Sequence, residues 1–194
     1  MSDAVPTYSK PVVGYRVWRV DADGRLWPRA VGALARLRAQ PWRPGDNLAE
    51  CLLVHVGKAP HDAPRNDCDC GFYGWHEVVS IPRRLPDDLV AGAISGWGDL
   101  EVHEDGFRAE RARVLALGMP EKPGGIAPAG ARAATVRYGV PLVPIAELAA
   151  AAAPFGAALG PDARPPHARF TERVRRMIGL PGAGDRRSSQ RDGS

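Results

Sequence analysis

Apolar and polar residues alternate along residues 12–20, which read VVGYRVWRV, with the two-residue period of a β-strand. This period places the odd-numbered residues 15 to 19 on one side and the even-numbered residues 16 to 20 on the other. Asp23-Gly24 is a dipeptide typical of tight β-turns, and residues 25–27 then run back towards Pro28. The pattern predicts an N-terminal β-hairpin.

A second hairpin is predicted between residues 91 and 117. Leu100 and Val102 alternate with polar neighbours, and Asp105-Gly106 forms the next turn signal. Residues 107–117 are rich in Ala, Glu, Arg and Leu, which also favour a helix. The Asp-Gly turn favours the strand for this segment.

The other predicted elements are short. Residues 118–130, GMPEKPGGIAPAG, have the composition of a flexible linker. A strand is predicted at residues 140–143. Short helices are predicted at residues 31–39, after Pro86, at residues 145–153 and at residues 171–178.

Composition and charge then restrict the class of protein. A chain of 194 residues with 44% hydrophobic and 25% charged residues suits one globular domain with an appendage. The net charge of +4 comes from residues 161–194, where eight arginines outnumber four acidic residues, so residues 1–160 carry no net charge. Any long-range attraction for nucleic acid would therefore come from this tail.

Early polar residues and prolines predict a cytoplasmic protein. Ser2 and Asp3 interrupt any N-terminal apolar run, which argues against a secretory signal. The longest weakly charged stretch, residues 138–160, contains three prolines and much alanine, so we expect no membrane span there. Three cysteines, an odd number, also argue against a disulfide framework.

All three cysteines fall within 20 residues of one another, together with a histidine. The spacing is Cys51-x9-His61-x6-Cys68-x-Cys70, and the intervening prolines, asparagine and aspartates favour turns. Gly71 follows the last thiol, at a position where a chain often needs a positive φ. Three thiolates and an imidazole form a standard structural zinc set, so the sequence predicts a Zn²⁺ site at Cys51, His61, Cys68 and Cys70.

Other interpretations of this segment remain open at the level of sequence. Cysteines are often small core residues, which would suit Cys51 before Leu52-Leu53-Val54 but not the polar run RNDCDCG. An iron–sulfur cluster also accepts thiolates and histidine. His55 and His76 are alternative ligands to His61, which is preferred because it lies in the proline-bounded segment APHDAP.

Residues 12–117 resemble a family of bacterial proteins that has no assigned activity. The resemblance rests on a Trp-x-Pro-Gly segment, a Cys, a His-x-Ala-Pro and a Cys-x-Cys-Gly followed by an aromatic residue. It also rests on a Trp-Gly…Gly-aromatic-Arg-Ala-Glu hairpin, WGDLEVHEDGFRAERA here. The resemblance supports the choice of metal ligands and implies no function.

Two weaker signals have both a structural and a functional interpretation. His103 lies among Glu101, Glu104 and Asp105, which suggests a general base with an orienting carboxylate or, as we expect, a solvated strand end. Nine tryptophan, tyrosine and phenylalanine residues between residues 15 and 107 are interleaved with arginines. They suit a base-stacking platform or, as we expect, the core of a small β-domain.

Taken together, the patterns predict an α+β fold, in which a zinc loop pins a small antiparallel sheet or half-barrel made of two hairpins. Residues 10–118 would form this domain, 119–132 a linker, 133–180 a short helical appendage and 181–194 a disordered basic tail. We expect a non-catalytic binding or adaptor module whose partner is another protein. The alternatives are a nucleic-acid-binding protein, using the tail and exposed aromatics, and a metal-dependent hydrolase. The hydrolase is disfavoured because four protein ligands leave no open metal position.

Overall fold

The computed structural model describes residues 7–29, 39–51, 53–54, 57, 59–81, 85–119 and 129–163. The predicted helix at 171–178, nearly all of that at 31–39, the tail at 181–194 and His55 lie outside these residues.

Within the described residues the chain forms a mostly β structure with two short α-helices. The strands are β1 Thr7–Val20, β2 Leu26–Pro28, β3 Asn47–Leu48, β4 Phe72–Trp75, β5 Leu89–Val102, β6 Gly106–Met119, β7 Leu142–Pro144 and β8 Ala157–Ala158. The α-helices are α1 Ala129–Tyr138 and α2 Leu148–Ala152. Single 3₁₀ turns lie at Val78–Ser80, Ile145–Glu147, Ala153–Phe155 and Pro161–Ala163. The predicted mixed α+β class is confirmed.

The strands belong to one sheet built around three long strands. β5 pairs antiparallel with β1 on one side and with β6 on the other. β2 extends β1, while β3 and β4 pair with β6, and the short strands β7 and β8 add in parallel to β6 and β1. One residue pair, Tyr15 with Trp75, joins β1 to β4 and closes a ring of pairings, but this ring is not a barrel.

Both predicted hairpins are present. β1 returns through β2 with Arg19 opposite Trp27, and Gly24 in the turn has φ +73°. Residues 106–119 are a strand, as the Asp-Gly turn indicated, and not a helix. The short helix predicted after Pro86 is wrong: the Leu89 amide donates to the Pro86 carbonyl at 3.0 Å in a turn, and β5 begins at Leu89.

Both faces of the sheet are buried. Val12, Trp18 and Val20 belong to one apolar cluster, and Val13, Tyr15 and Val17 belong to another, as the two-residue period of β1 requires. Ala131, Ala134 and Tyr138 of α1 pack in the first cluster, and Leu148 and Ala152 of α2 pack in the second. The segment after residue 128 therefore contributes to both cores.

The aromatic side chains mainly fill these cores. Six of the nine are buried: Tyr15, Trp18, Trp42, Tyr73, Trp75 and Phe107. The other three, Trp27, Phe72 and Trp97, are half-buried. The core interpretation of the aromatic residues is therefore confirmed for most of them.

Candidate metal centre

Cys51, His61, Cys68 and Cys70 lie close enough together to bind a metal ion. Their ligand atoms, one from each side chain, all lie within 4.8 Å of one another. The Sγ atoms of Cys51 and Cys68 are 3.5 Å apart, and Cys70 Sγ is 3.5 Å from His61 Nε2. Within the described parts of the chain, no other group of three or more His, Cys, Asp or Glu side chains is arranged to hold a metal ion.

The local backbone places the thiols at turns. The Cys68 amide donates to the Arg65 carbonyl at 2.9 Å, which closes a tight turn just before the Cys-x-Cys pair. Gly71 adopts φ +113°, so the predicted positive φ after the last thiol is confirmed. A side chain there would meet the Cβ atoms of Pro64 and Arg108 at 3.1 and 3.2 Å. Glycine thus lets the loop return tightly against β6.

Cys51 reaches the cluster from a separate segment. β3 pairs with β6 at Asn47 and Leu48, and the Ala49 amide donates to the Glu110 carbonyl at 2.8 Å. This edge pairing fixes the chain two residues before Cys51. The site is therefore built by two segments, 47–51 and 59–71, that both dock on β6.

His61 presents the correct ring nitrogen to the thiols. Its Nδ1 lies 3.0 Å from the Ala59 carbonyl oxygen, which can only accept a hydrogen bond, so Nδ1 carries the hydrogen in the neutral ring. Nε2 is then left with a free lone pair facing Cys70. His76, the alternative ligand, bonds through Nε2 to the His103 carbonyl at 2.9 Å and lies outside the cluster. His55 is not among the described residues.

Residues 59–71 form what we call the metal loop. Arg108, on β6, holds this loop against the sheet. Its buried guanidinium donates to the carbonyls of Cys68 and Cys70, the latter at 3.0 Å, and to that of Arg65 at 3.3 Å. It also forms an ion pair with Glu101 on β5. Nothing in the sequence indicates that Arg108 holds this loop.

The cluster around His103 differs from the predicted solvated strand end. His103 is only 8% exposed, and its Nε2 lies 3.2 Å from the Glu101 carboxylate, which is itself mostly buried. β4 and the adjoining His76 cover this end of the hairpin, which explains the burial. A series of side-chain contacts connects His103 to Glu101, Glu101 to Arg108, and Arg108 to the metal loop. That arrangement connects this end of the hairpin to the loop.

The electrostatics of the thiols also suit a cation. Burial, and then the neighbouring Cys68 and Cys51 thiols, raise the pKa of Cys70 to about 12. Several thiolates in so small a space repel one another unless a positive charge lies between them. A bound divalent ion supplies that charge and lowers the pKa of each coordinating thiol. The donor set therefore fits a metal ion.

Comparison of the chain with protein-family models, with curated proteins and with solved structures finds no match. No described helix is both long and apolar enough to cross a lipid bilayer. The interpretation of the site accordingly depends on its own residues and geometry.

Proposed function

We propose that this protein is a non-catalytic binding module whose loops are held by one structural Zn²⁺ ion. The observation that carries the proposal is the convergence of four zinc-type donors, three sulfurs and one imidazole nitrogen, within 4.8 Å of one another. Cys51, Cys68, Cys70 and His61 would be the four ligands.

The spacing of the donors supports a single tetrahedral ion. With ordinary zinc bond lengths, a tetrahedron separates two sulfurs by about 3.8 Å and a sulfur from a nitrogen by about 3.6 Å. The Cys51–Cys68 and Cys70–His61 separations, both 3.5 Å, need only small adjustment to reach these values. An iron–sulfur cluster distributes its ligands over two or more irons and holds them farther apart, so the spacing favours zinc.

Closure of the ligand set supports a structural role. Four protein ligands fill a tetrahedral zinc and leave no position for water or substrate, which a zinc hydrolase requires. Arg108 and Ala59, which contact the ligand residues, act as the outer shell that orients structural sites. The ion would join the loops 47–51 and 59–71 to one edge of the sheet.

We expect a protein partner and a cytoplasmic location, where cysteine ligands remain reduced. Nucleic-acid binding is less supported, because most aromatic side chains that would stack on bases are buried in the core. Any such binding would use the tail and would weaken steeply with salt.

The test of the metal is elemental analysis of the purified protein, followed by replacement of zinc with Co²⁺. We expect about one zinc per chain and, after replacement, the visible absorption of tetrahedral cobalt with thiolate ligands. A closed site also predicts that adding azide or imidazole leaves this spectrum unchanged. Purified protein that contains no metal although residues 59–71 are ordered, or that contains iron with acid-labile sulfide, would contradict the proposal.

A matched pair of variants assigns the ligands. Cys68→Ser should reduce the zinc content well below one per chain, because a serine hydroxyl is a poor zinc ligand. Asp62→Asn changes an exposed residue beside His61 and should leave the zinc content unchanged. Equal zinc contents in the two variants would remove Cys68 from the ligand set.

A further inference from the structure

A cavity of about 360 Å³ lies between the sheet and the two loops of the metal centre. β1 and β4 contribute Tyr15, Arg16 and Trp75, residues 39–51 contribute Trp42, and the metal loop contributes residues 68–71. This volume is near the lower end of the range for small-molecule sites. The site is thus large enough for a small organic ligand and mostly lined by aromatic and apolar groups.

Arg16 is an unusual residue to find in the wall of such a cavity. It is 8% exposed, and its guanidinium carbon lies 4.6 Å from the ring centre of Trp42 and 5.2 Å from that of Trp18. Its Nε is buried and has no hydrogen-bond partner among the described residues. Desolvation lowers the pKa of Arg16 to about 9, so the side chain is still a cation at neutral pH.

No carboxylate neutralises this cation in the part of the chain that the structure describes, where Arg16 makes no ion pair with any Asp or Glu. Asp46, which also borders the cavity, pairs with Arg113 at 2.5 Å instead. Buried charges are ordinarily paired, and an unpaired one is costly. The two tryptophans stabilise the faces of the guanidinium but cannot accept hydrogen bonds from its edge.

We propose that the cavity binds a small organic monoanion, a carboxylate on a flat apolar body, with the carboxylate on Arg16 and the apolar body against Trp42. This inference names the ligand class for the binding module proposed above and rests on that proposal. A carboxylate matches the planar fork of donors at the edge of a guanidinium. A dianionic phosphate fits less well, because Arg16 is the buried cation of the described lining. The less buried Arg29 and Arg43 share the cavity border with the acidic Asp46, Glu50 and Asp69.

The conformation of the cavity wall supports a preformed site. The Trp42 amide donates to the Leu26 carbonyl at 2.8 Å, and the Trp42 carbonyl accepts from the Tyr138 hydroxyl at 2.6 Å. The Asn47 side chain closes the following turn through bonds to the backbone of Arg43 and Gly45. The Trp42 backbone is therefore held by β2 and α1, and Asn47 of β3 holds the turn that follows, so little order has to be created when a ligand binds.

The test uses three probes of similar shape and different charge: phenylacetate, phenylacetamide and phenethylamine. Calorimetric titration of the full-length, zinc-containing protein should give about 10- to 100-fold tighter binding of phenylacetate than of phenylacetamide, the range expected for a charge-assisted hydrogen bond. Phenethylamine should bind most weakly. Absence of binding, or equal binding of the carboxylate and the amide, would overturn the proposal.

Variants locate the effect. Arg16→Gln should abolish the preference for phenylacetate, so that phenylacetate and phenylacetamide bind about equally. Arg16→Lys should retain part of the preference. Arg43→Gln removes the same charge from an exposed side chain at the same cavity and should keep the preference. A loss in Arg43→Gln equal to that in Arg16→Gln would assign the effect to general electrostatics and refute the site.

Zinc content measured in the same samples separates the two proposals. A chain with one zinc and no preference for the carboxylate would refute the anion site alone. A chain without zinc that still prefers the carboxylate would refute the structural-zinc proposal alone.

Discussion

The sheet and the metal loop are stabilised in opposite ways. The three long strands bury large apolar side chains on both faces, among them Trp18, Ile94 and Phe107, each at 0% exposure. The loop at residues 59–71, by contrast, packs around a small cluster whose buried members are Ala63 and the three cysteines. Stability in the sheet is distributed over many contacts, whereas stability in the loop depends on a few directional ones.

The difference follows from the area each region can bury. Burying a large apolar side chain contributes roughly 1.5–3 kcal/mol, and the sheet has many such residues. Alanine and cysteine bury much less area, and most loop residues between them are exposed and polar. Arg108 contributes hydrogen bonds to this loop, and we expect metal ligation to be needed as well for a single conformation. This comparison yields predictions that differ sharply between the two regions.

Removing the metal should produce the largest effect, and it should be local. Structural zinc contributes on the order of 10 kcal/mol to small metal sites. We expect a chelator, or Cys68→Ser, to abolish hydrogen-exchange protection at Cys68 and Ala49, whose amides donate to backbone carbonyls in the two segments of the site. Amides of β5 and β6 should remain protected, because their cores do not include the metal ligands. Uniform loss of protection over the whole chain would contradict the comparison.

A substitution in the core of the sheet should lower stability without affecting the metal site. Phe107→Ala should lower the free energy of unfolding by about 3–5 kcal/mol through a cavity in the core, while the folded protein keeps one zinc per chain. Phe155→Ala, at a side chain that is 53% exposed, is the matched control and should change stability by less than about 0.5 kcal/mol.

The two regions also differ in how far they could be predicted from sequence. The cluster of four candidate metal ligands could be predicted because all four residues lie within 20 positions of one another and their chemistry is specific, even without the fold. The hairpins could be predicted because Asp-Gly turns determine the pairing of the adjacent segments. The helix predicted after Pro86 is wrong because Leu89–Val102 pairs with β1 and β6, and these long-range pairings override the local propensity of the segment.

What could not be predicted depends on contacts between distant segments. The role of Arg108 requires the register of β6 against β4 and β5, which places its side chain over carbonyls about 40 positions earlier in the chain. The burial of His103 similarly requires β4 and His76. The cavity with a buried cation in its wall depends on Arg16 lying beside Trp42, and nothing in the sequence links these two residues. Periodicity shows which face a residue occupies but not which segment covers that face.

Loss of the Arg108 side chain should have the next largest effect, because it lies where the two regions join. Arg108→Met leaves Glu101 buried without its cation and the carbonyls of Cys68 and Cys70 without a donor. We expect a loss of about 3–5 kcal/mol in stability and a 10- to 100-fold lower affinity for zinc. Denaturant unfolding and competition with a colorimetric zinc chelator measure the two quantities.

An exposed ion pair provides the matched control. Arg113 and Asp46 also connect β6 to the loop before Cys51, but both side chains are about half exposed. Arg113→Met should therefore cost no more than about 1 kcal/mol and leave zinc affinity unchanged. Equal effects of the two arginine variants would show that Arg108 has no special part in holding the metal loop.

The smallest predicted effect concerns the backbone at the end of the metal loop. Gly71 combines φ +113° with close neighbours, so Gly71→Ala should cost about 2–3 kcal/mol, from backbone strain and from contacts with Pro64 and Arg108 that are too short. Gly45 has φ +79° and open space within 4 Å, so Gly45→Ala should cost only about 1 kcal/mol. Denaturant unfolding gives both values, and zinc competition should show a weaker site in Gly71→Ala alone, because only that change forces the Cys70 end of the loop away from β6. An equal loss of stability in the two variants would mean that the metal loop can move away from β6 without penalty. The close packing of Gly71 against Pro64 and Arg108 would then not be needed to form the site.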